Sequence, residues 1–166
     1  DCIVPSYYLL CGKWGEWVCV LCSPNIPKAR ENVCPICLTG FTATPCKNCK
    51  KSIQFQQLSF LYLFSTEVVA KLMHFFKYTQ LQELAVFFGR AMQERIHNIS
   101  FPKTWVVVPV PLHRKKFNTR GFNQAALLAQ HIAKANNLRF APRALRRVQM
   151  AEIQSTLSKK DREKNL

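Results

Sequence analysis

The stretch that decides the fold runs from Trp105 to Gln124 and reads WVVVPVPLHRKKFNTRGFNQ. Its first half is a run of valines closed by Pro109 and Pro111. Such a run predicts a strand buried on both faces, because a strand with one solvated face alternates apolar and polar residues. A basic loop follows, and the pattern AALLAQHIAKANN then predicts a helix that ends at Asn136 and Asn137. The stretch therefore predicts an α/β unit in the order strand, cationic loop and helix.

The loop between this strand and this helix concentrates positive charge at one place. Backbone N–H groups at a helix start, together with Lys and Arg side chains, are how α/β proteins bind phosphate or another anion. A solvated basic turn is the alternative interpretation, and His113 is expected to be a neutral bystander. The residues predicted to contact the anion are Arg114, Lys115, Lys116, Arg120, Gly121, Asn123 and Gln124.

The positive charge of the chain is unevenly distributed. The formal net charge of the 166 residues is +15. Residues 1–102 hold ten Lys or Arg and six Asp or Glu, a net of +4, whereas residues 103–166 hold fourteen and three, a net of +11. Nucleic acid, nucleotide phosphates or an acidic protein would each match this charge. No apolar run reaches the roughly 18 to 20 residues of a membrane span, and the N-terminus lacks the pattern of a secretory signal, so we expect a cytoplasmic protein.

Six of the eight cysteines form three C-x-x-C pairs. This spacing favours metal chelation over structural disulfides. The stretch CPICLTGFTATPCKNC contains two of the pairs, with Gly40 in the predicted connecting hairpin, and it predicts a zinc ribbon. Four thiolates close the coordination sphere, so the zinc would be structural. The predicted ligands are Cys34, Cys37, Cys46 and Cys49.

A second, less complete cysteine set precedes the first. Cys11, Cys19 and Cys22 supply three ligands, and the position expected to hold the fourth is Tyr8. Three alternatives follow from this pattern. Cys2 completes a second zinc site, or packing of the nearby tryptophans, Trp14 and Trp17, holds a degenerate site together, or no metal binds there.

The middle of the chain is predicted to consist of one strand and two helices. Ser52–Gln57 reads as a linker and Leu58–Phe64 as a strand. A helix capped by Ser65 or Thr66 should extend to about Tyr78. A second helix from about Thr79 to His97 carries an apolar stripe at helical spacing, made of Leu81, Leu84, Ala85, Phe88, Met92 and Ile96.

The C-terminal third is predicted to continue as a connector, a basic stretch and a polar tail. These are Phe140–Pro142, the group Arg143, Arg146 and Arg147, and Gln154–Leu166.

Taken together, the motifs resemble the ComF family. They are the cysteine pairs, V-P-V-P-L-H-R-K-K at Val108–Lys116, R-G-F-N-Q at Arg120–Gln124, and the spaced set Arg146, Gln154, Leu157, Ser158, Arg162 and Asn165. The resemblance implies an N-terminal zinc ribbon over residues 1–52 and a type I phosphoribosyltransferase-like domain over residues 53–166.

The resemblance also implies a function. Members of this family are associated with natural transformation, so the chain would handle incoming single-stranded DNA on the cytoplasmic side of the membrane, with competence proteins there as partners. Residues Leu112–Asn123 would approach phosphoribosyl pyrophosphate, and Arg146–Asn165 would close over it, which adds Arg146, Gln154 and Arg162 to the predicted binding residues.

One departure from the family pattern bears on activity. The chain has no adjacent acidic residues, no T-T-G turn, and no glycine after Gly121, so it lacks the loop that cradles the ribose phosphate and binds metal. We therefore expect a truncated domain, with Mg²⁺ and phosphoribosyl pyrophosphate binding confined to a full-length form. Whether the chain is an enzyme stays open, and the alternative is a non-enzymatic nucleic-acid-binding module built on the zinc ribbon.

Overall fold

A computed structural model defines the fold as a mixture of helices and a small parallel sheet. Four α-helices and two strands carry the architecture: α2 (Glu67–Tyr78), α3 (Leu84–Ile96), β1 (Val106–Val107), α4 (Arg114–Arg120), α5 (Gln124–Ala135) and β2 (Arg139–Phe140), preceded by the single turn α1 (Lys47–Lys50). The structure describes residues 7–15, 17–19, 21–29, 34, 36–37, 39, 46–50, 55, 58–62, 66–78 and 82–148.

The core lies where α2 and α3 meet the start of α5. Leu72, Phe76 and Leu84 are fully buried. The Phe76 ring lies 5.4 Å from that of Phe88 and 6.2 Å from that of Phe122, measured between centroids. Both predicted helices are confirmed, although α3 begins at Leu84 and not at Thr79. The members of the predicted stripe from Leu84 to Ile96 are buried or half-buried, and Leu81 lies outside the described residues.

Helix α3 packs closely against α5. The contact depends on Gly89, which is buried on α3 beneath the ring of His131 on α5. A Cβ atom placed at Gly89 would lie 2.5 Å from Cγ of His131. Glycine therefore allows the two helices to approach this closely.

The segment from β1 to β2 forms the parallel part of the fold. Val106 lies opposite Arg139, and Val107 lies opposite Phe140. The prediction of a connector at Phe140–Pro142 is thus wrong at Phe140, which belongs to β2. Two residues are too few to show a strand pattern, and the pairing is set by a partner more than thirty residues earlier. The predicted helix is confirmed; it ends at Ala135, and Asn136 is its C-cap.

The prediction of a valine strand buried on both faces is wrong. Val106, Val108 and Val110 are 42%, 37% and 69% exposed, whereas Val107 is half-buried and Pro109 is buried. The period of two shows that one face is covered, and α5 contacts both strands. Only Val106 and Val107 pair in the ladder. The prolines that follow have no N–H group to donate to a neighbouring strand.

The cysteine-rich N-terminal segment packs on the same core. Ile26 is 2% exposed within the cluster formed by α2, α3 and Phe122. Lys28 pairs with Tyr62 in an antiparallel bridge and with Glu94 in a salt bridge of 3.8 Å. The predicted strand Leu58–Phe64 is described only over residues 58–62. Among these residues only Tyr62 forms a β-bridge, so the strand is not confirmed there.

Several predictions fall outside the described residues. These are Cys2, Gly40, the domain boundary at 52 and 53, and the tail with Gln154 and Arg162. In the described part of the chain, no helix combines the length and the apolar character needed to cross a membrane. The mixed fold with its parallel pair fits an α/β class, and the phosphoribosyltransferase-like domain stays a prediction.

Candidate functional site

The four predicted ribbon cysteines come together in space. The Sγ atoms of Cys34, Cys37, Cys46 and Cys49 all lie within 4.8 Å of one another. Zinc–sulfur bonds of about 2.3 Å at tetrahedral angles place neighbouring sulfurs about 3.8 Å apart, and the Cys37 and Cys46 sulfurs are separated by 3.9 Å. No disulfide joins any of the described cysteines. Their donor set can hold a metal ion and is compatible with zinc, as the spacing predicted.

Hydrogen bonds around this cluster stabilise thiolates at some positions and thiols at others. The backbone N–H of Cys46 donates to Sγ of Cys34 over 3.4 Å, and this bond contributes most to lowering the pKa of Cys34 to about 6. A hydrogen bond with the hydroxyl of Thr39 lowers the pKa of Cys37. The interaction of the Cys49 thiol with Cys46 raises the pKa of Cys49 to about 12. A divalent cation would replace the protons that the sulfurs otherwise share.

The second cysteine set has the same local geometry with one ligand fewer. Cys11, Cys19 and Cys22 have their sulfurs within 4.8 Å of one another, and those of Cys11 and Cys19 are 3.8 Å apart. The N–H groups of Cys22 and Ser23 both donate to the Cys19 carbonyl, and those of Cys49 and Lys50 donate to the Cys46 carbonyl in the same way. This matching turn places three sulfurs at three corners of a possible tetrahedron.

The fourth position of this set is not supplied by a described cysteine. Tyr8, which stands there in the sequence, lies against Gly15 and leaves no room for a side chain at that residue. Trp17 packs on the core. Trp14 is 67% exposed, and its ring centroid lies 4.6 Å from that of Tyr7, with the two rings tilted by 50°. Packing of the two tryptophans therefore helps to hold this segment in place. Completion of the metal site by Cys2 stays a prediction.

The predicted basic loop is wrong in conformation, because residues 114–120 form helix α4. His113, expected to be a bystander, is the N-cap: its Nδ1 accepts from the backbone N–H of Lys115 over 3.3 Å. Gly121 ends the helix with a φ of 76°, a left-handed conformation that favours glycine, and its N–H donates to the carbonyl of Phe117. The position of His113 directly before three helix-favouring residues, Arg114, Lys115 and Lys116, is the sequence signal that could have identified it as a cap.

Two of the residues predicted to bind the anion make structural hydrogen bonds. Asn123 caps α5 by accepting from the N–H of Ala125 over 3.1 Å, and its Nδ2 donates to the carbonyl of Val110 over 3.0 Å. Gln124 is 7% exposed, and its Nε2 donates to the carbonyls of Phe76 and Lys77. The R-G-F-N-Q motif thus joins α5 to the end of α2 and to the segment after β1. A role for these two amides in anion binding stays a prediction.

The cations of the motif differ in exposure. Arg114 and Lys115 are exposed, and Lys116 is half-buried. Arg120 is half-buried and donates a hydrogen bond to Oε1 of Gln124 over 3.4 Å. Its guanidinium carbon lies over the ring of Tyr78, 5.0 Å from the ring centroid. Sequence reasoning missed Tyr78, because it lies 42 residues before Arg120 and carries no local signal of the contact.

A basic segment follows each strand of the parallel pair. The carboxyl ends of parallel strands meet at the same edge; α4 begins shortly after β1, and the stretch with Arg143, Arg146 and Arg147 follows β2. Arg143 and Arg146 are exposed and Arg147 is half-buried. We call this set the basic edge: Arg114, Lys115, Lys116, Arg120, Arg143, Arg146 and Arg147.

Known proteins resemble this chain along most of its length. The DNA utilization protein YhgH of Salmonella typhi is 28% identical over 176 residues, which cover 98% of this chain and 76% of that protein. Competence protein ComFC of Bacillus subtilis is 26% identical over 71% of this chain and 52% of its own length. Competence protein F of Haemophilus influenzae is 25% identical over 89% of this chain and 73% of its own length.

No family model matches the chain, and no solved structure matches it. The named relatives nevertheless agree with one another, since each is called a DNA utilization protein or a competence protein. These relatives support the resemblance to the ComF family that the motifs indicate.

Proposed function

We propose that this chain is a competence-associated protein that binds incoming single-stranded DNA in the cytoplasm through the basic edge. The observation that supports the proposal is that a cationic segment follows each strand of a parallel pair, so that both segments leave the sheet at its carboxyl edge. The names of the relatives, DNA utilization protein and competence protein, support the same assignment. Competence proteins at the membrane are the partners that such a role would require.

The charges of the basic edge are available to a ligand. No acidic residue occurs in the sequence between Glu94 and Glu152, so this part of the chain cannot neutralise its own cations. Phosphates of a nucleic acid would do so and would release their counterions, which is the main source of sequence-independent affinity. The side chains of Arg114, Lys115, Arg143 and Arg146 are exposed, which supports such contacts.

The cysteine clusters would have a structural role in this function. The closed four-thiolate set leaves no ligand position for chemistry. Zinc at Cys34, Cys37, Cys46 and Cys49 would order a segment with few buried apolar side chains, since metal binding in such sites contributes directly to folding.

Phosphoribosyl pyrophosphate with Mg²⁺ is the second candidate ligand of the basic edge. The observation that favours it is the parallel pair itself, because α/β proteins bind phosphorylated ligands at the carboxyl ends of parallel strands. The sequence contains no adjacent acidic pair and no T-T-G turn, which favours DNA binding without catalysis for the residues present. Competition between this ligand and DNA would identify a shared site.

The experiment is an anisotropy titration of labelled oligothymidylate with the wild type and with the triple variant Arg114→Ala, Lys115→Ala, Lys116→Ala. Loss of three phosphate contacts should weaken binding by at least about tenfold at moderate salt. The matched control removes three exposed cations from other helices, Lys71, Arg90 and Lys134. Equal losses in both variants would show that net charge and not the basic edge governs binding, and an unchanged affinity of the α4 variant would refute the assignment.

A further inference from the structure

We propose that Tyr78 and Phe117 form a platform on which unpaired bases stack, so that the site recognises single strands and not merely negative charge. This inference rests on the proposed function and specifies how the ligand is recognised. We call the row formed by His74, Tyr78, Arg120, Phe117 and Arg114 the stacking strip.

Tyr78 presents its ring to solvent in a fixed orientation. It is the last residue of α2 and is 59% exposed. The guanidinium carbon of Arg120 lies 5.0 Å from the ring centroid. The ring of His74, one helical turn earlier, lies 4.9 Å away at an angle of 41°. The guanidinium of Arg120 thus covers one face of the ring, while 59% of the Tyr78 side chain stays exposed to a ligand.

Phe117 extends the aromatic surface along α4. It is 45% exposed, although it lies on a helix whose other residues are polar or cationic. Residues three apart share a helix face, so Arg114, Phe117 and Arg120 line up in that order. The row alternates cation, aromatic ring and cation, and Arg120 joins it to Tyr78.

This alternation matches the chemistry of a single strand. Bases of a single strand expose their faces, which stack on aromatic side chains, while the phosphates between them contact Arg or Lys. A duplex hides its base faces, and polyphosphate has none, so neither gains from the exposed rings. An acidic protein would match the charges of the strip but gives no reason for open rings between them. The observations therefore favour a single-stranded nucleic acid.

The test compares three probes: oligothymidylate, a duplex and inorganic polyphosphate. The variant Tyr78→Ala with Phe117→Ala should lose about tenfold or more in affinity for oligothymidylate. Its affinities for duplex and polyphosphate, and the salt dependence of binding, should stay those of the wild type. Tyr78→Phe keeps the ring and should bind as the wild type does.

A matched control is Trp105→Ala, because Trp105 is also exposed, at 49%, but stands at the amino end of β1, whereas the basic edge follows the carboxyl ends of the strands. It should leave affinity for oligothymidylate unchanged. Circular dichroism of each variant verifies that helices α2 and α4 persist.

The outcomes separate the two proposals. If the wild type fails to bind oligothymidylate, the proposed function fails and this inference fails with it. If the basic-edge variant loses binding while the Tyr78 and Phe117 variant keeps it, the inference alone is refuted. An equal loss for all three probes would also refute it, since stacking cannot explain weaker binding to polyphosphate.

Discussion

Replacing Gln124 by Met should destabilise the fold through hydrogen bonds alone. The change keeps the length of the side chain and removes its donors and its acceptor. In the wild type, Nε2 donates to the carbonyl of Phe76 over 3.2 Å and to that of Lys77 over 3.4 Å, and Oε1 accepts from Arg120. Phe76 is fully buried, and a buried acceptor left without a donor costs about 1–3 kcal/mol. Since the other two bonds are long and partly solvated, we expect a total loss of about 2–3 kcal/mol in the free energy of unfolding.

The assay is urea unfolding of both proteins at the same zinc concentration and pH. Gln130→Met on the same helix is the matched control, because Gln130 is exposed and such changes usually alter stability by less than about 0.5 kcal/mol. If Gln124→Met falls within that range too, the buried amide is not what joins α5 to the end of α2, and the reasoning is refuted.

Three further predictions follow from other contacts. Gly89→Ala should lower the free energy of unfolding by about 1–3 kcal/mol, because its new Cβ meets the His131 ring. The double variant with His131→Ala should regain most of that stability in an unfolding experiment. If it regains none, the close contact between the two helices is contradicted. Asn123→Ala should lower the free energy of unfolding by about 1–2 kcal/mol, because it removes the helix cap and the hydrogen bond to the Val110 carbonyl. The control Asn118→Ala, at an exposed position on α4, should leave stability unchanged. Equal unfolding midpoints for the two variants would refute the capping role. Zinc counted by native mass spectrometry should stay bound at neutral pH and be released in acid, because protons compete with zinc for the thiolates. The lowered pKa of Cys34 favours its thiolate at neutral pH. A protein already free of zinc at neutral pH would contradict the site.

Features that depend on local spacing could be predicted from the sequence. The ligand set of Cys34 and its three partners follows from two C-x-x-C pairs, because each pair makes its own knuckle turn. Helices α2, α3 and α5 follow from apolar periodicity and from the predicted cap Ser65 or Thr66 before α2, which are local signals. These predictions needed no knowledge of the rest of the fold.

Features that depend on distant partners could not be predicted. Strand β2 has two residues and is defined by its pairing with Val106 and Val107. The contact of Tyr78 with Arg120 joins residues 42 positions apart, and no composition signal marks it. The valine run suggested burial on both faces, but how many faces are covered depends on which elements pack there and not on the run itself.

The measurement that tests the central claim most directly is the salt dependence of oligothymidylate binding by the wild-type chain. If at least four cations of the basic edge contact phosphates, the logarithm of the affinity should fall with the logarithm of salt concentration at a slope of about −3, which is a loss of roughly 50-fold between about 50 and 200 mM. A flat response would contradict the account, because no phosphate contacts would then exist for the basic edge to make.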